Sequence, residues 1–134
     1  MRKLLAVMAM LTMFTGPVSA SSISLDSAVF VEKVDGGARS LAAADSFRPG
    51  ETIVTIVRWR AESASLESFS VTSALPAGLR FDRASGQVSV STDGGATFRG
   101  PDNVAGRITH LRWTINAGDA ARGRGQLSYR ATVR

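Results

Sequence analysis

The sequence predicts an all-β protein, an immunoglobulin-like antiparallel β-sandwich of about seven to nine strands. Short runs rich in β-branched and aromatic residues alternate with turn residues at intervals of about ten residues. No segment shows the sustained 3.6-residue periodicity of a long helix. These two observations are together typical of a sandwich built from short strands.

The first 20 residues have the pattern of a secretory signal peptide. A basic start at Arg2 and Lys3 precedes an apolar run over residues 4–14, and small residues at 18–20 suit a signal peptidase. The run is too short to span a bilayer comfortably, so an uncleaved anchor is the less favoured alternative. We expect a mature domain, residues 21–134, without a transmembrane segment, in the periplasm, outside the cell or at its surface.

Composition limits how this domain is stabilised. The chain of 134 residues is long enough for one domain, and it contains no cysteine. An exported protein without disulfides must be held together by burial. The absence of cysteine also excludes a lipoprotein anchor, which is attached to that residue.

The first predicted strands form a hairpin. Residues 23–34 and 38–41 flank Asp35-Gly36-Gly37, a strong hairpin signal, and residues 42–46 are expected to be a loop. Residues 51–60 form the clearest strand, in which Trp59 lies on the apolar face. We interpret Trp59 as a core residue rather than a ligand-stacking one, because buried aromatic side chains dominate core energetics.

The stretch from Phe69 to Phe81 is predicted to be a strand, a corner and a return into the core. Pro76 cannot donate to a β-ladder and ends the strand, and Gly78 frees the backbone to turn. The side chains expected to point inward are Phe69, Val71, Ser73, Leu75, Leu79 and Phe81.

The second half of the chain continues the pattern. Asp93-Gly94-Gly95 predicts a second hairpin between strands at 87–91 and 96–99. The later segments are a loop at 100–106, a strand at 107–115 that includes Trp113, a glycine-rich loop at 116–125 and a strand at 126–133.

The order of these pieces resembles a conserved-repeat domain of unknown function found in bacterial surface and secreted proteins. The matching region runs from Phe47 to Arg134, and its most specific part is residues 71–79, VTSALPAGL. The resemblance implies an immunoglobulin-like fold. The chain departs from the family at Ala61-Glu62-Ser63, where an Asn-Thr-Gly turn is usual, and it holds a single copy. The structural signature comprises Trp59, Leu75, Pro76, Gly78, Leu79, Asp93, Gly95 and Trp113.

The segment from Ser91 to Phe98 fits the Asp-box pattern S-x-D-x-G-x-T-(W/F) of sialidase-type propellers. An aspartate in this position accepts hydrogen bonds from backbone groups of the turn, and the terminal aromatic residue packs beneath the turn. A propeller needs several four-stranded blades, which do not fit in this chain. The motif therefore predicts a stabilised hairpin rather than a sialidase.

Positive charge is concentrated late in the chain. The whole sequence carries a formal charge of +5, and without Arg2 and Lys3 it has 14 basic and 11 acidic residues. Such arginines attract phosphate and carboxylate groups of lipopolysaccharide or acidic polysaccharide, and solvated arginines are the alternative. Nucleic acid is not expected, because no aromatic platform accompanies them. The candidate anion-binding residues are Arg112, Arg122, Arg124 and Arg130.

The sequence offers little support for catalysis. His110 is the only histidine, and neither a nucleophile motif nor metal-ligand spacing is present, so we expect no enzyme activity, metal or cofactor. Calcium binding by Asp93, Asp102 and Asn103 is less favoured than turn formation by the same residues.

We therefore expect an exported, non-catalytic module with a structural or protein-interaction role at the cell envelope, with envelope proteins as partners. The alternatives are a binding module for anionic glycans that uses the late arginines, and a small hydrolase that uses His110.

Overall fold

The computed structural model describes residues 11–12, 23–43, 46–61, 67–102 and 104–134. These residues form two antiparallel sheets and one short helix, which confirms the predicted β-sandwich. The strands are β1 Leu11–Thr12, β2 Ile23–Asp35, β3 Ala38–Ala43, β4 Thr52–Ala61, β5 Phe69–Ala74, β6 Leu79–Ala84, β7 Val88–Ser91, β8 His110–Ile115 and β9 Arg124–Val133, and the helix is α1 Ala117–Ala120.

The two sheets differ in size. One has the strand order β3-β2-β4-β9-β6, and we call it the five-stranded sheet. The other has the order β1-β5-β8-β7, and we call it the smaller sheet. In the smaller sheet Leu11 and Thr12 of β1 pair with Ser73 and Thr72 of β5.

Aromatic pairs join the sheets across the core. The rings of Trp113 on β8 and Tyr129 on β9 have centroids 6.2 Å apart. Trp59 on β4 meets Phe69 on β5 edge to face, with centroids 5.2 Å apart. Because each pair takes one ring from each sheet, the aromatic side chains fix how the two sheets stack. Burial of Trp59 agrees with the core position expected for it, and Trp113 is buried as well.

The predicted strand faces agree with the structure. The residues of β4 that share a face with Trp59, which are Ile53, Thr55 and Val57, are buried together with it. In the stretch that begins at Phe69, Phe81 is half-buried and packs against the core, and the other predicted inward residues, Phe69, Val71, Ser73, Leu75 and Leu79, are buried.

The corner predicted after β5 lies between Ala74 and Leu79. The amide of Leu79 donates to the carbonyl of Pro76 at 2.9 Å and closes the turn. Gly78 lies in this turn and does not have a positive φ. Its carbonyl accepts from the amide of Arg134 at 2.9 Å, which ties the turn to the residue after β9.

Three loop and strand boundaries also differ from expectation. Residues 42–43 extend β3, and β8 begins only at His110, three residues later than predicted. In the expected loop at 116–125, α1 forms because the Asn116 side chain accepts from the amide of Asp119 at 2.8 Å and caps it. The same expected loop contributes its last two residues to β9.

Several sequence-based expectations fall outside the described residues. Apart from Leu11–Thr12, the proposed signal peptide lies there, as do Glu62, Ser63 and Asn103.

Candidate functional site

The four candidate arginines do not form one patch. Arg112 lies on the outer face of the smaller sheet, and Arg130 lies on the outer face of the five-stranded sheet, so the core separates them. Arg122 is in the turn after α1, and Arg124 begins β9. The four arginines do not share one surface, because their positions belong to different sheets and to a turn.

Two of these arginines already have partners. Arg112 donates from Nε to the hydroxyl of Thr72 at 3.2 Å, and its guanidinium carbon lies 3.9 Å from the centroid of the Phe98 ring. Arg130 pairs with the carboxylate of Glu32, whose side chain is only 9% exposed. The pairing of Arg130 with Glu32 stabilises the sheet face, because a carboxylate with so little solvent access needs a cation beside it.

A different group of arginines does come together, on the outer face of the five-stranded sheet. Arg58 and Arg60 follow each other on this face of β4, and Arg124 of β9 stands directly opposite Arg60. All three are exposed, and none forms an ion pair with any described residue. We call Arg58, Arg60 and Arg124 the arginine triplet.

The triplet lines one shallow depression of about 600 Å³. Its other polar side chains come from Ser24 and Asp26 of β2 and from Gln126 of β9. Asp26 is the cross-strand partner of Arg58, yet it forms no ion pair with it. Ser24 and Arg124 flank Arg60, and Asp26 and Gln126 flank Arg58, so the three guanidinium groups share the depression with one carboxylate and two neutral polar side chains.

The register that assembles the triplet depends on a glycine. Trp59 is buried between Arg58 and Arg60 in sequence, and its cross-strand partner is Gly125. A Cβ atom at Gly125 would lie 2.4 Å from Nε1 of the Trp59 indole, a distance that real Cβ contacts do not reach. The absence of a side chain at Gly125 lets the indole lie on β9, and this pairing puts Arg124 opposite Arg60.

Sequence reasoning identified Arg124 but missed Arg58 and Arg60. The only local signal was the alternation Arg-Trp-Arg at the end of β4, which places both arginines on one face. Their proximity to Arg124 depends on long-range strand register, which this alternation does not specify.

The Asp93 turn has the geometry that its motif predicts. The carboxylate accepts from the Ser91 hydroxyl at 2.6 Å, from the Thr97 hydroxyl at 2.5 Å and from the Thr97 amide at 3.0 Å. The Ser91 hydroxyl also accepts from the amide of Gly95 at 2.9 Å, and Gly95 has a φ of 92°. The hydrogen bond from Ser91, followed by those from Thr97, holds the pKa of Asp93 well below its usual range.

The same bonds prevent the second strand expected at 96–99. The Thr97 amide donates to Asp93 instead of to a neighbouring strand, so only an isolated bridge between Val90 and Arg99 forms. They also engage both oxygens of Asp93. Within the described part of the chain, no group of three or more acidic or histidine side chains is placed to hold a metal ion.

His110 has an ordinary polar environment. Its Nδ1 lies 3.0 Å from the Thr109 hydroxyl, and a Cβ atom at Gly95 would lie 3.6 Å from its ring. Among the described residues, no hydrogen bond joins His110 to a carboxylate or to a serine hydroxyl. The arrangement of a Ser-His-Asp triad is therefore not present around His110 in this part of the chain.

Strand β5 differs from the other strands at or near the sheet edges. Its residues, FSVTSA, include no charged side chain and no proline. By contrast, β3 carries Arg39, β6 carries three charged residues and a bulge, and β7 is bridged by Arg99. Charges, bulges and covering segments are the devices that protect sheet edges from pairing with other chains.

The outward backbone groups of β5 are identified by its pairing with β8. The amide of Leu75 donates to the carbonyl of Thr109 at 2.7 Å, so odd-numbered β5 residues bond to β8. The amides and carbonyls of Ser70, Thr72 and Ala74 consequently face the other side, where β1 pairs with Thr72 and Ser73.

No family model matches the chain, and neither a curated protein nor a solved structure does so. The described residues include no helix that is long and apolar enough to cross a membrane.

Proposed function

We propose that this chain is an exported, non-catalytic immunoglobulin-like module that binds another protein at the cell envelope by accepting a strand at β5. The observation that carries the proposal is that β5 has no charged residue and no proline, and that Leu11 and Thr12 of β1 pair with it in an antiparallel manner. The proposed partner contributes an extended segment that continues the smaller sheet.

The physical basis is β-strand addition. The outward amides and carbonyls of Ser70 and Ala74 offer main-chain hydrogen bonds to an incoming strand. Their side chains lie on the outer face, whereas Phe69 and Val71 are buried in the core. A partner segment with alternating apolar and polar residues matches this arrangement, because one of its faces meets the core and the other meets solvent.

Export is supported by the N-terminal sequence. The basic start, the short apolar run and the small residues before Ser21 fit a secretory signal, and removal of residues 1–20 would take β1 away from β5. N-terminal sequencing of the protein isolated from periplasm or medium is expected to begin at Ser21. Recovery only of chains that begin at Met1 would contradict export with cleavage.

Hydrogen exchange tests strand addition directly. The probe is a peptide with the sequence of residues 8–15, made soluble by added lysines, because this region contains the two residues that pair with β5. Added to residues 21–134, it is expected to slow exchange of the Ser70 and Ala74 amides. The Ser70→Pro variant removes one outward donor without removing a bond to β8, and it should bind the peptide less tightly.

The matched control is Leu41→Pro on β3, an edge strand of the other sheet, because its amide also faces away from the neighbouring strand. Unfolding by urea checks that both variants are folded. Protection that appears on β3 or β6 instead of β5, or that is unchanged by Ser70→Pro, would refute strand addition at β5.

A further inference from the structure

We propose that the arginine triplet is a binding site for a phosphomonoester carried by a sugar. This inference concerns a face of the five-stranded sheet and does not rest on strand addition at β5. It differs from the anion-binding patch expected from the sequence, since it shares only Arg124 with that set.

The triplet concentrates positive charge more than the fold requires. Arg60 and Arg124 are directly opposed, with Cα atoms about 4.5–5.5 Å apart in an antiparallel pair, and like charges in that position destabilise a sheet. Arg58 is about 7 Å along the same face of β4. Elsewhere on this sheet Arg39, Arg80 and Arg130 each have an acidic partner within the ion-pair distance. Lys33 and Arg83 of this sheet also form no ion pair with a described residue, but the triplet brings three such cations together in one depression.

The number of charges favours a phosphomonoester over a carboxylate. A carboxylate has one charge and two oxygens, which a single guanidinium can satisfy as a bidentate pair. A phosphomonoester carries between one and two negative charges near neutral pH and three terminal oxygens. Three guanidinium groups that line one depression match this charge and this number of acceptors.

The remainder of the depression indicates what carries the phosphate. Ser24 and Gln126 offer both donors and acceptors, and Asp26 offers acceptors without being used in an ion pair. Sugar hydroxyl groups, which both donate and accept hydrogen bonds, suit these three side chains. A volume of about 600 Å³ is sufficient for a monosaccharide unit beside the phosphate.

Calorimetric titration of the purified protein with three probes tests the inference. The probes are glucose 1-phosphate, inorganic phosphate and glucose. We expect glucose 1-phosphate to bind at least tenfold more tightly than inorganic phosphate, glucose not to bind measurably, and the affinity for glucose 1-phosphate to fall as salt is added. Equal affinity for the two phosphates would overturn the assignment of a sugar-bearing ligand, and no binding of either would overturn the site.

Variants locate the site. Arg60→Gln is expected to weaken glucose 1-phosphate binding by about tenfold or more, and Arg60→Lys by less, because lysine keeps the charge but loses the planar fork. The control is Arg48→Gln, which removes the same charge from an exposed residue before β4, about 25 Å from Arg60 along that strand. Equal losses in Arg60→Gln and Arg48→Gln would show attraction by net charge alone and refute the site. The free energy of unfolding of Arg60→Gln is expected to be no lower than that of the wild type, so a loss of binding would not result from a loss of folding.

Discussion

Replacement of Gly125 by alanine should destabilise the domain through a collision with one side chain. The new Cβ atom would lie 2.4, 2.5 and 2.7 Å from Nε1, Cε2 and Cζ2 of Trp59. The indole would have to move by about 1 Å to reach ordinary contact distance. It has little room to do so, because it is 4% exposed and packs edge to face on Phe69.

We expect Gly125→Ala to lower the free energy of unfolding by about 1–3 kcal/mol, the usual range for an overpacked core. The corresponding fall in Tm is roughly 4 °C for each kcal/mol in a domain of this size. Urea unfolding followed by far-UV circular dichroism measures the change. Gly100→Ala is the control, since a Cβ atom there would meet nothing within 4 Å, and its effect should be within about 0.5 kcal/mol of zero.

A double-mutant cycle attributes the effect to the indole. Trp59→Phe removes the indole nitrogen and the second ring, so Gly125→Ala should be less harmful in that background, with a coupling energy of about 1 kcal/mol or more. If Gly125→Ala has no measurable effect, or the same effect whether residue 59 is Trp or Phe, the contact between Trp59 and Gly125 does not determine the packing of β4 on β9.

Two further predictions concern the corner after β5 and the Asp93 turn. Leu75→Ala should lower the free energy of unfolding by about 2–5 kcal/mol, because Leu75 is buried. The control Leu41→Ala changes a side chain that is 46% exposed, and it should alter the free energy of unfolding by less than about 0.5 kcal/mol. Similar values for the two variants in urea unfolding would contradict the assigned strand face. Because the folded-state pKa of Asp93 is depressed, its ionised form stabilises the fold above the unfolded-state pKa near 4, and this contribution is lost as pH falls further. The wild type should therefore have a higher Tm than Asp93→Asn at pH 6, and this difference in Tm should become smaller as the pH is lowered from 4 towards 2. A difference in Tm that stays constant over this range would contradict the role given to the carboxylate.

The strand faces and the Asp93 turn were predictable because their determinants are local. Alternation along β4 is enough to place Trp59 in the core, since side chains on a strand change face at every residue. The partners of the Asp93 carboxylate, Ser91 and Thr97, lie within four residues of it, so the motif contains the whole arrangement. The same local bonds led to the error at 96–99, where the turn takes the amide that a second strand would need.

The arginine arrangement was not predictable because it depends on long-range pairing. Arg130 forms an ion pair with Glu32, which is 98 positions away in the chain, and no local pattern identifies that partner. Arg60 and Arg124 meet only because β4 pairs with β9 in one register. A register shift of one residue would place the arginines of one strand on the buried face, so these contacts follow from the folded core rather than from composition.

The opposed pair of Arg60 and Arg124 has a consequence for how this sequence is maintained. A fold selected only for stability would lose one of these charges readily, since many single substitutions relieve like-charge repulsion on an exposed sheet face and disturb nothing buried. If the proposed ligand binds there, the presence of both arginines exchanges some folding stability for binding, as is common at sites that are arranged before the ligand arrives. Close relatives that keep the fold but have lost the ligand should accordingly carry neutral residues at one or both positions.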